Sequence, residues 1–351
     1  MTANDTPGSE QPATPTRGSD RRTISIREHQ ALGPGIEFDT IRLLMARWGD
    51  LAVDIGDDAA VLGALSRDIA ADGRMLVVST DACVEGVHFL PSWISAADVG
   101  ARAIAAALSD LAAMGARADA VLCAFVVPEH WRSRIVDVAG GIARVLAPTG
   151  AKIVGGNLSA GEAFAMTTTV IGSTSRAVAR RGAKPGDRLL VTGALGGPGR
   201  AVADWYAGAT PSDWARERFA SPTPRLHEGE YVARMGAHAM LDISDGLAAD
   251  SRHLAAASGV RLRIEASRLP LGPGVSAAAA LVSGEEYELL FAAPPQLAGV
   301  LMADWTSVSG TALTDIGEVV SEEPRGSVEI IGLTDADARV EFVHGHDHFT
   351  A

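Results

Sequence analysis

The residues with the most chemical potential are aspartates set in small-residue turns at the ends of apolar runs. Asp57 and Asp58 stand in IGDDAAVL, Asp81 follows Ser79 and Thr80 at the end of MLVVSTD, and Asp242 and Asp245 bracket Ser244 in LDISDGL. Asp110 falls near the end of an Ala-rich helical stretch, where the helix dipole disfavours an anion by ~0.3–1 kcal/mol, so a compensating cation is expected beside it. Carboxylates and hydroxyls with few histidines among them are ligands for hard cations such as Mg²⁺. Mg²⁺ in turn accompanies phosphates, whose oxygens it bridges and whose charge it cancels. A helix opening at Asp245-Gly246 offers backbone N–H groups to an anion, and Lys152, Arg180, Arg181 and Lys184 are of a type that holds phosphate oxygens. Each feature also has a plain reading: GDD as a turn, Asp245 as a helix N-cap, Ser79-Thr80-Asp81 as an Asx turn, the arginines as a solvated linker. Recurrence of acids at element ends raises the metal–phosphate reading; spacing alone leaves both open.

Positioning these acids requires strands that end where they stand. LAVDI (51–55), MLVVS (75–79), AVLCAFVV (120–127), KIVG (152–155) and MTTTVIG (166–172) read as strands. Ser95 and Asp98 form a capping box that opens a helix with an apolar stripe of Val99, Ala103, Ala106, Ala107, Leu111 and Met114, stopping at Gly115. A second helix is expected over 130–146. Residues 174–188, polar and basic with a Pro-Gly turn, read as an interdomain linker. Beyond it lie a strand at 187–193, the glycine-rich loop ALGGPG, a helix after Pro224, a strand at 239–244, a helix from Asp245 to Ser258 closed by Gly259, and short strands near 316–343. Strands mixed with helices in both halves predict an α+β (mixed α/β) chain of two lobes, divided as a polar, disordered tail over 1–30, an N-terminal domain over 31–175 and a C-terminal domain over 176–351.

Composition sets the outer limits. The 351 residues are 47% hydrophobic with a net charge of −13, which argues against a general nucleic-acid binder and an anionic membrane surface. No apolar run approaches the ~18 residues of a membrane span. Two cysteines, Cys83 and Cys123, make no disulfide framework, and residues 1–22 lack the apolar stretch of a secretory signal, so a cytoplasmic location is expected. There is no GxxxxGK[ST] motif, GALGGPG (193–199) lacks the dinucleotide spacing, and GNLSAG (156–161) is not a nucleophile elbow.

In order and spacing, GDDAAVL (56–62), STDACVEGVHF (79–89), ALSDLAAMGA (107–116), GGNLS (155–159), RRGAKPGD (180–187), DISDGL (242–247), SGEEYELLF (283–291) and GHDHF (345–349) resemble the thiamine-monophosphate kinase family, of the superfamily that includes aminoimidazole ribonucleotide synthetase. The resemblance spans about 36–350. It implies a two-lobed fold, a homodimer joined through the N-terminal lobes, and ATP-dependent phosphorylation of thiamine monophosphate assisted by several Mg²⁺ ions. By motif, Asp58, Ser79, Thr80, Asp81, Asp110, Asp242 and Asp245 fall on metal ligands, with Asp81, Asp110 and Asp242 central to transfer. Gly156, Arg180 and Ser244 fall on ATP contacts, and His88, Glu285 and His346 on the substrate side. Two positions depart from the family: Asn157 stands where Asp is usual, implying weaker hold on one Mg²⁺ through a neutral carbonyl, and His346 where an aromatic residue is usual. Aminoimidazole ribonucleotide synthetase chemistry, or an ATP-binding dimer without turnover, are the alternatives.

Overall fold

The computed structural model describes Met1, residues 57–61 and residues 73–333. The expected strand at 51–55, the tail over 1–30 and His346 lie outside those residues.

The N-terminal half contributes β1 (Ala60–Val61), β2 (Met75–Val84), β3 (Arg117–Val127), β4 (Lys152–Ala160) and β5 (Ala165–Thr174), in the sheet order β1-β2-β5-β3-β4. All ladders are antiparallel except β3 with β4. Helix α1 (Ala96–Ala113) lies on β2 and β5, with α2 (Ile135–Leu146) packed beside it. The capping box forms: Ser95 Oγ accepts from the Asp98 N–H at 3.1 Å and donates to the Asp98 carboxylate at 2.7 Å. The two helices touch backbone to backbone, since a Cβ on Gly100 would come 2.0 Å from the Val138 carbonyl oxygen and one on Gly141 1.7 Å from that of Ala97. The helix expected over 130–146 starts later. Residues Glu129–Arg134 form a 3₁₀ turn, because Trp131 is drawn inward to stack on Phe164 and donate to Glu85 at 2.9 Å.

In the C-terminal half, β6 (Arg188–Thr192), β7 (Ala239–Asp242), β8 (Arg261–Glu265), β9 (Leu289–Ala293), β10 (Leu313–Val320) and β11 (Ser327–Ile331) form a sheet of order β11-β8-β10-β6-β9-β7. Around it run α3 (Gly197–Tyr206), α4 (Asp213–Ala220), α5 (Leu226–Met235), α6 (Leu247–Ser258), α7 (Ala277–Val282) and α8 (Pro295–Val308). The fold is thus α+β with two sheets.

One helix serves both halves. Alternate faces of α1 pack into the N-terminal core with Val77, Phe164 and Val170, and through Ala112 and Ala113 into a cluster with Val232, Met240 and Leu289. A helix buried nearly all round is apolar all round, which is why its stripe is so rich in alanine. The segment 175–187 is bound along this junction: Arg176 donates to the Ala233 and Ala237 carbonyls at 2.5 and 2.8 Å, Val178 N–H to Met114, and Met240 N–H to Ala179.

Candidate active site

Strand alternation sorts the Ser79-Thr80-Asp81 run. Ser79 points toward α1, donating from Oγ to Asp110 at 2.5 Å and to the Asp58 carbonyl at 3.1 Å. β7 ends at Asp242 beside the same helix. Asp58, Asp110 and Asp242 thereby come together from a turn, a helix and a strand, with carboxylate oxygens within 4.8 Å of one another. Arg180 closes one side of the cluster: its Nε donates to Asp58 at 3.0 Å, a second guanidinium nitrogen pairs with the other Asp58 oxygen, and its backbone N–H donates to Asp57 at 2.8 Å.

The electrostatics are those of crowded anions. Burial pushes the Asp242 carboxyl up to about 8; the negative charge of Asp58 adds to this and Arg180 opposes it. Asp110 is also raised well above the carboxylate range, first by burial and then by the charges of Asp242, Asp58 and Asp81. Burial works against the charge of Arg180, but pairing with Asp58 holds it firmly protonated. Arg180 pairs with Asp58 alone of the three carboxylates, and like charges this close favour either protons or a bound cation. Their oxygen donors, joined by a serine hydroxyl, match what Mg²⁺ accepts, so the residues present fit that ion.

A second group adjoins the first through the LDISDGL turn. Asp245, Asp250 and His253 hold ligand atoms within 4.8 Å of one another, and Asp250 accepts from the Asp245 N–H at 3.0 Å. Burial, then the charges of Asp245 and Asp242, raise Asp250 well above its ordinary range. Asp245 is not the N-cap of α6: Gly246 intervenes with φ +107° and the helix begins at Leu247. That left-handed glycine turns the chain sharply between strand and helix, bringing Asp245 back over Asp250. Asp250 and His253 were missed in the sequence because they read as two polar residues in an Ala-rich helix; their i, i+3 spacing after SDGL was the available signal.

Several expected residues stand elsewhere. Thr80 points to the opposite face of β2, sharing a hydrogen bond with Thr169 at 3.2 Å, so its side chain does not join the acids. Asn157 is in register with Ala124, Thr167 and Ala82 across the sheet. That places it three strand spacings from β2, ~14 Å at about 4.8 Å each. Gly156 and Asn157 therefore do not enter the acid cluster within one chain. Their strand, β4, is exposed along its whole length, as is Lys152 at its start. The glycine-rich loop 193–199 is filled from within: the Gly196 N–H donates to Glu286 at 2.5 Å and the Gly199 N–H to Ser283 at 3.0 Å. The buried Glu286 sits beside Arg218, and Glu288 binds both Arg218 and Arg225. Burial pushes Glu286 up to about 7. Cys83 and Cys123 are buried and unbridged.

On the substrate side, His88 Nδ1 accepts from the Val84 N–H at 3.0 Å, which leaves the Nε2 of a neutral ring as its donor. Glu285, between α7 and β9, lies against the turn after β7: its N–H donates to the Ser244 carbonyl at 2.6 Å, in a left-handed conformation of φ +60°.

Sequence profiles of the AIR synthase related protein match this chain over residues 56–174 for the N-terminal domain and 184–330 for the C-terminal domain. A thiamine-monophosphate kinase of Caulobacter vibrioides is 35% identical over 90% of this chain and 92% of its own. The chain belongs to the thiamine-monophosphate kinase family. A Mycobacterium tuberculosis thiamine-monophosphate kinase is 40% identical over 66% of this chain and 68% of its own. The solved structure of AaThiL complexed with AMPPCP and TMP superposes with a TM-score of 0.76 at 30% identity, covering 90% of this chain and 97% of that one. The two matched domains correspond to the two sheets of the fold.

Proposed function

We propose that this chain phosphorylates thiamine monophosphate to thiamine diphosphate with ATP, at the junction where α1 meets β7. The carrying observation is the convergence of Asp58, Asp110 and Asp242 on one point in a family member whose relative binds AMPPCP and TMP. Asp58, Asp110 and Asp242 would hold Mg²⁺, with Ser79, Asp81 and Asp245 at its margin. Bound there, Mg²⁺ supplies charge neutralisation between phosphoryl oxygens.

The acceptor is a phosphate monoester with a second pKa near ~6, largely dianionic at pH 7. A dianion needs no general base, so the barrier is repulsion and alignment, which positioning reduces. The residues therefore orient: Arg180 brings positive charge to the ATP phosphates, Ser244 and the N–H groups after it line the same turn, and the His88 Nε2 donor faces the acceptor rather than taking a proton. Glu285 and the excess of acid suit a cationic thiazolium. Transfer is direct and in line, with no phosphoenzyme.

A homodimer completes this reading. Ile153, Val154 and Leu158 on the edge strand β4 are 54%, 61% and 71% exposed, and an apolar edge of this kind requires cover. Pairing of β4 with a second copy would carry Gly156 and Asn157 toward that copy's acids. No helix among the described residues is long and apolar enough to cross a membrane, and the free buried cysteines suit the cytoplasm. The test is ADP release with and without thiamine monophosphate, together with chromatography of the thiamine product. ADP that requires thiamine monophosphate and matches thiamine diphosphate supports the proposal. ADP release indifferent to thiamine monophosphate, or tight ATP binding with no turnover, contradicts it.

A further inference from the structure

We infer that Arg102 is a positioning residue for the acceptor side of the site: a buried guanidinium that ties Glu285 to the helix carrying Asp110. The inference rests on the reading above that Glu285 faces the acceptor.

Arg102 lies on α1 and is only 2% exposed, the one charged residue among that helix's buried, mostly aliphatic side chains. A buried guanidinium is tolerated only where its charge is paired. One terminal nitrogen donates to the Phe219 carbonyl at the end of α4 at 2.6 Å. The guanidinium plane rests 3.9 Å above the centre of the Phe219 ring. The other terminal nitrogen pairs with Glu285. Two of these contacts lock the arginine to α4, so the third fixes the direction in which Glu285 is held. Glu285 is the more exposed end of the pair at 24%, which leaves part of its carboxylate open to a neighbour.

The backbone that carries Glu285 needs such an anchor. Glu285 at φ +60° and Tyr287 at φ +52° both occupy the left-handed region without being glycine, a conformation that persists only when its surroundings impose it. Their N–H groups donate to the carbonyls of Ser244 and Ile243 at 2.6 and 2.9 Å. The main chain of the loop is therefore fastened to the strand end that bears Asp242 and Asp245. Its side chain is fastened, through Arg102, to the helix that bears Asp110 eight residues later, ~12 Å further along at about 1.5 Å per residue. Glu285 thus takes its place from the same two elements that assemble the acids. In an Ala-rich helix Arg102 reads as a solvated surface charge, and nothing in the motif pattern marks it.

The experiment uses the full chain with Arg102→Met, Arg102→Lys, Glu285→Gln and the Arg102→Met/Glu285→Gln double variant. Steady-state kinetics are taken at saturating Mg²⁺, with amide exchange of residues 283–288 followed in parallel. Arg102→Met is expected to raise KM for thiamine monophosphate roughly 10- to 100-fold, as for loss of a charged hydrogen-bond partner, while KM for ATP stays within about twofold. Arg102→Lys restores part of that loss, and the double variant is no worse than the worse single one, as for residues acting as a unit. Exchange at 283–288 speeds up in Arg102→Met, a readout that needs no substrate. Wild-type exchange in that loop overturns the inference, as does a rise in both KM values in proportion to a lowered Tm. A wild-type enzyme that leaves thiamine monophosphate untouched contradicts the proposed function alone, while the exchange result still decides the role of Arg102.

Discussion

Asp242→Asn should make the metal-free protein more stable and at the same time indifferent to Mg²⁺. The carboxyl of Asp242 is pushed up to about 8 by burial and by Asp58, against ~3.9 in an unfolded chain. A raised acid pKa means that the folded state binds the proton more tightly, so stability is highest below about pH 4 and is lost as pH rises toward 8. At about 1.4 kcal/mol per pH unit, the three units between the unfolded value and pH 7 cost about 4 kcal/mol. The amide has no proton to lose, though its new N–H₂ must find partners at about 1 kcal/mol. A net gain of about 3 kcal/mol corresponds to roughly 4 °C in Tm for a chain of 351 residues. Mg²⁺ closes the gap: at 100 times its Kd it adds about 2.7 kcal/mol to the wild type and little to the variant. The assay is thermal unfolding of both proteins at pH 7 in EDTA and in Mg²⁺. An Asp242→Asn protein less stable than wild type in EDTA, or one that keeps the full Mg²⁺ response, would refute the crowded-carboxylate reasoning.

Asp81 stands outside the three closest carboxylates but near enough for its charge to raise Asp110. Asp81→Ala is expected to raise the Mg²⁺ concentration for half-maximal turnover roughly 10- to 100-fold, the usual effect of removing a supporting ligand; turnover unchanged at limiting Mg²⁺ would count against the cluster. If β4 pairs with a second copy as proposed, Asn157→Asp adds a carboxylate near that copy's acids and should lower that Mg²⁺ requirement several-fold, measured by the same titration. Glu286, pushed up to about 7 by burial, costs stability as pH rises from about 4.5 to 7, by about 3 kcal/mol in all. Glu286→Gln should therefore flatten the dependence of the urea midpoint on pH between 5 and 7; an unchanged slope places the titration elsewhere.

The acids stood out by recurring at element ends among small residues, although each also had a structural reading, and the capping box at Ser95 marked the start of α1. Alternation along β2 was equally available: Ser79 and Asp81 share a face, so Thr80 had to point away. Tertiary placement was not available from spacing. Asn157 follows two glycines much as Asp81 follows two hydroxyls, yet strand order alone puts it on the far edge of the sheet. GALGGPG lacks dinucleotide spacing, but only the fold shows that Glu286 takes its N–H, and Arg102 looks like surface until α4 covers it. Each depends on a contact more than 80 residues away in sequence, which no local pattern encodes.

The central claim is a single direct transfer from ATP to the phosphate of thiamine monophosphate, with orienting residues and no phosphorylated enzyme. The stereochemical course of transfer from ATP made chiral at the γ-phosphorus tests it most directly. Inversion of configuration in thiamine diphosphate is the predicted result, as one in-line displacement requires. Retention, which demands two displacements and a covalent intermediate, would contradict it.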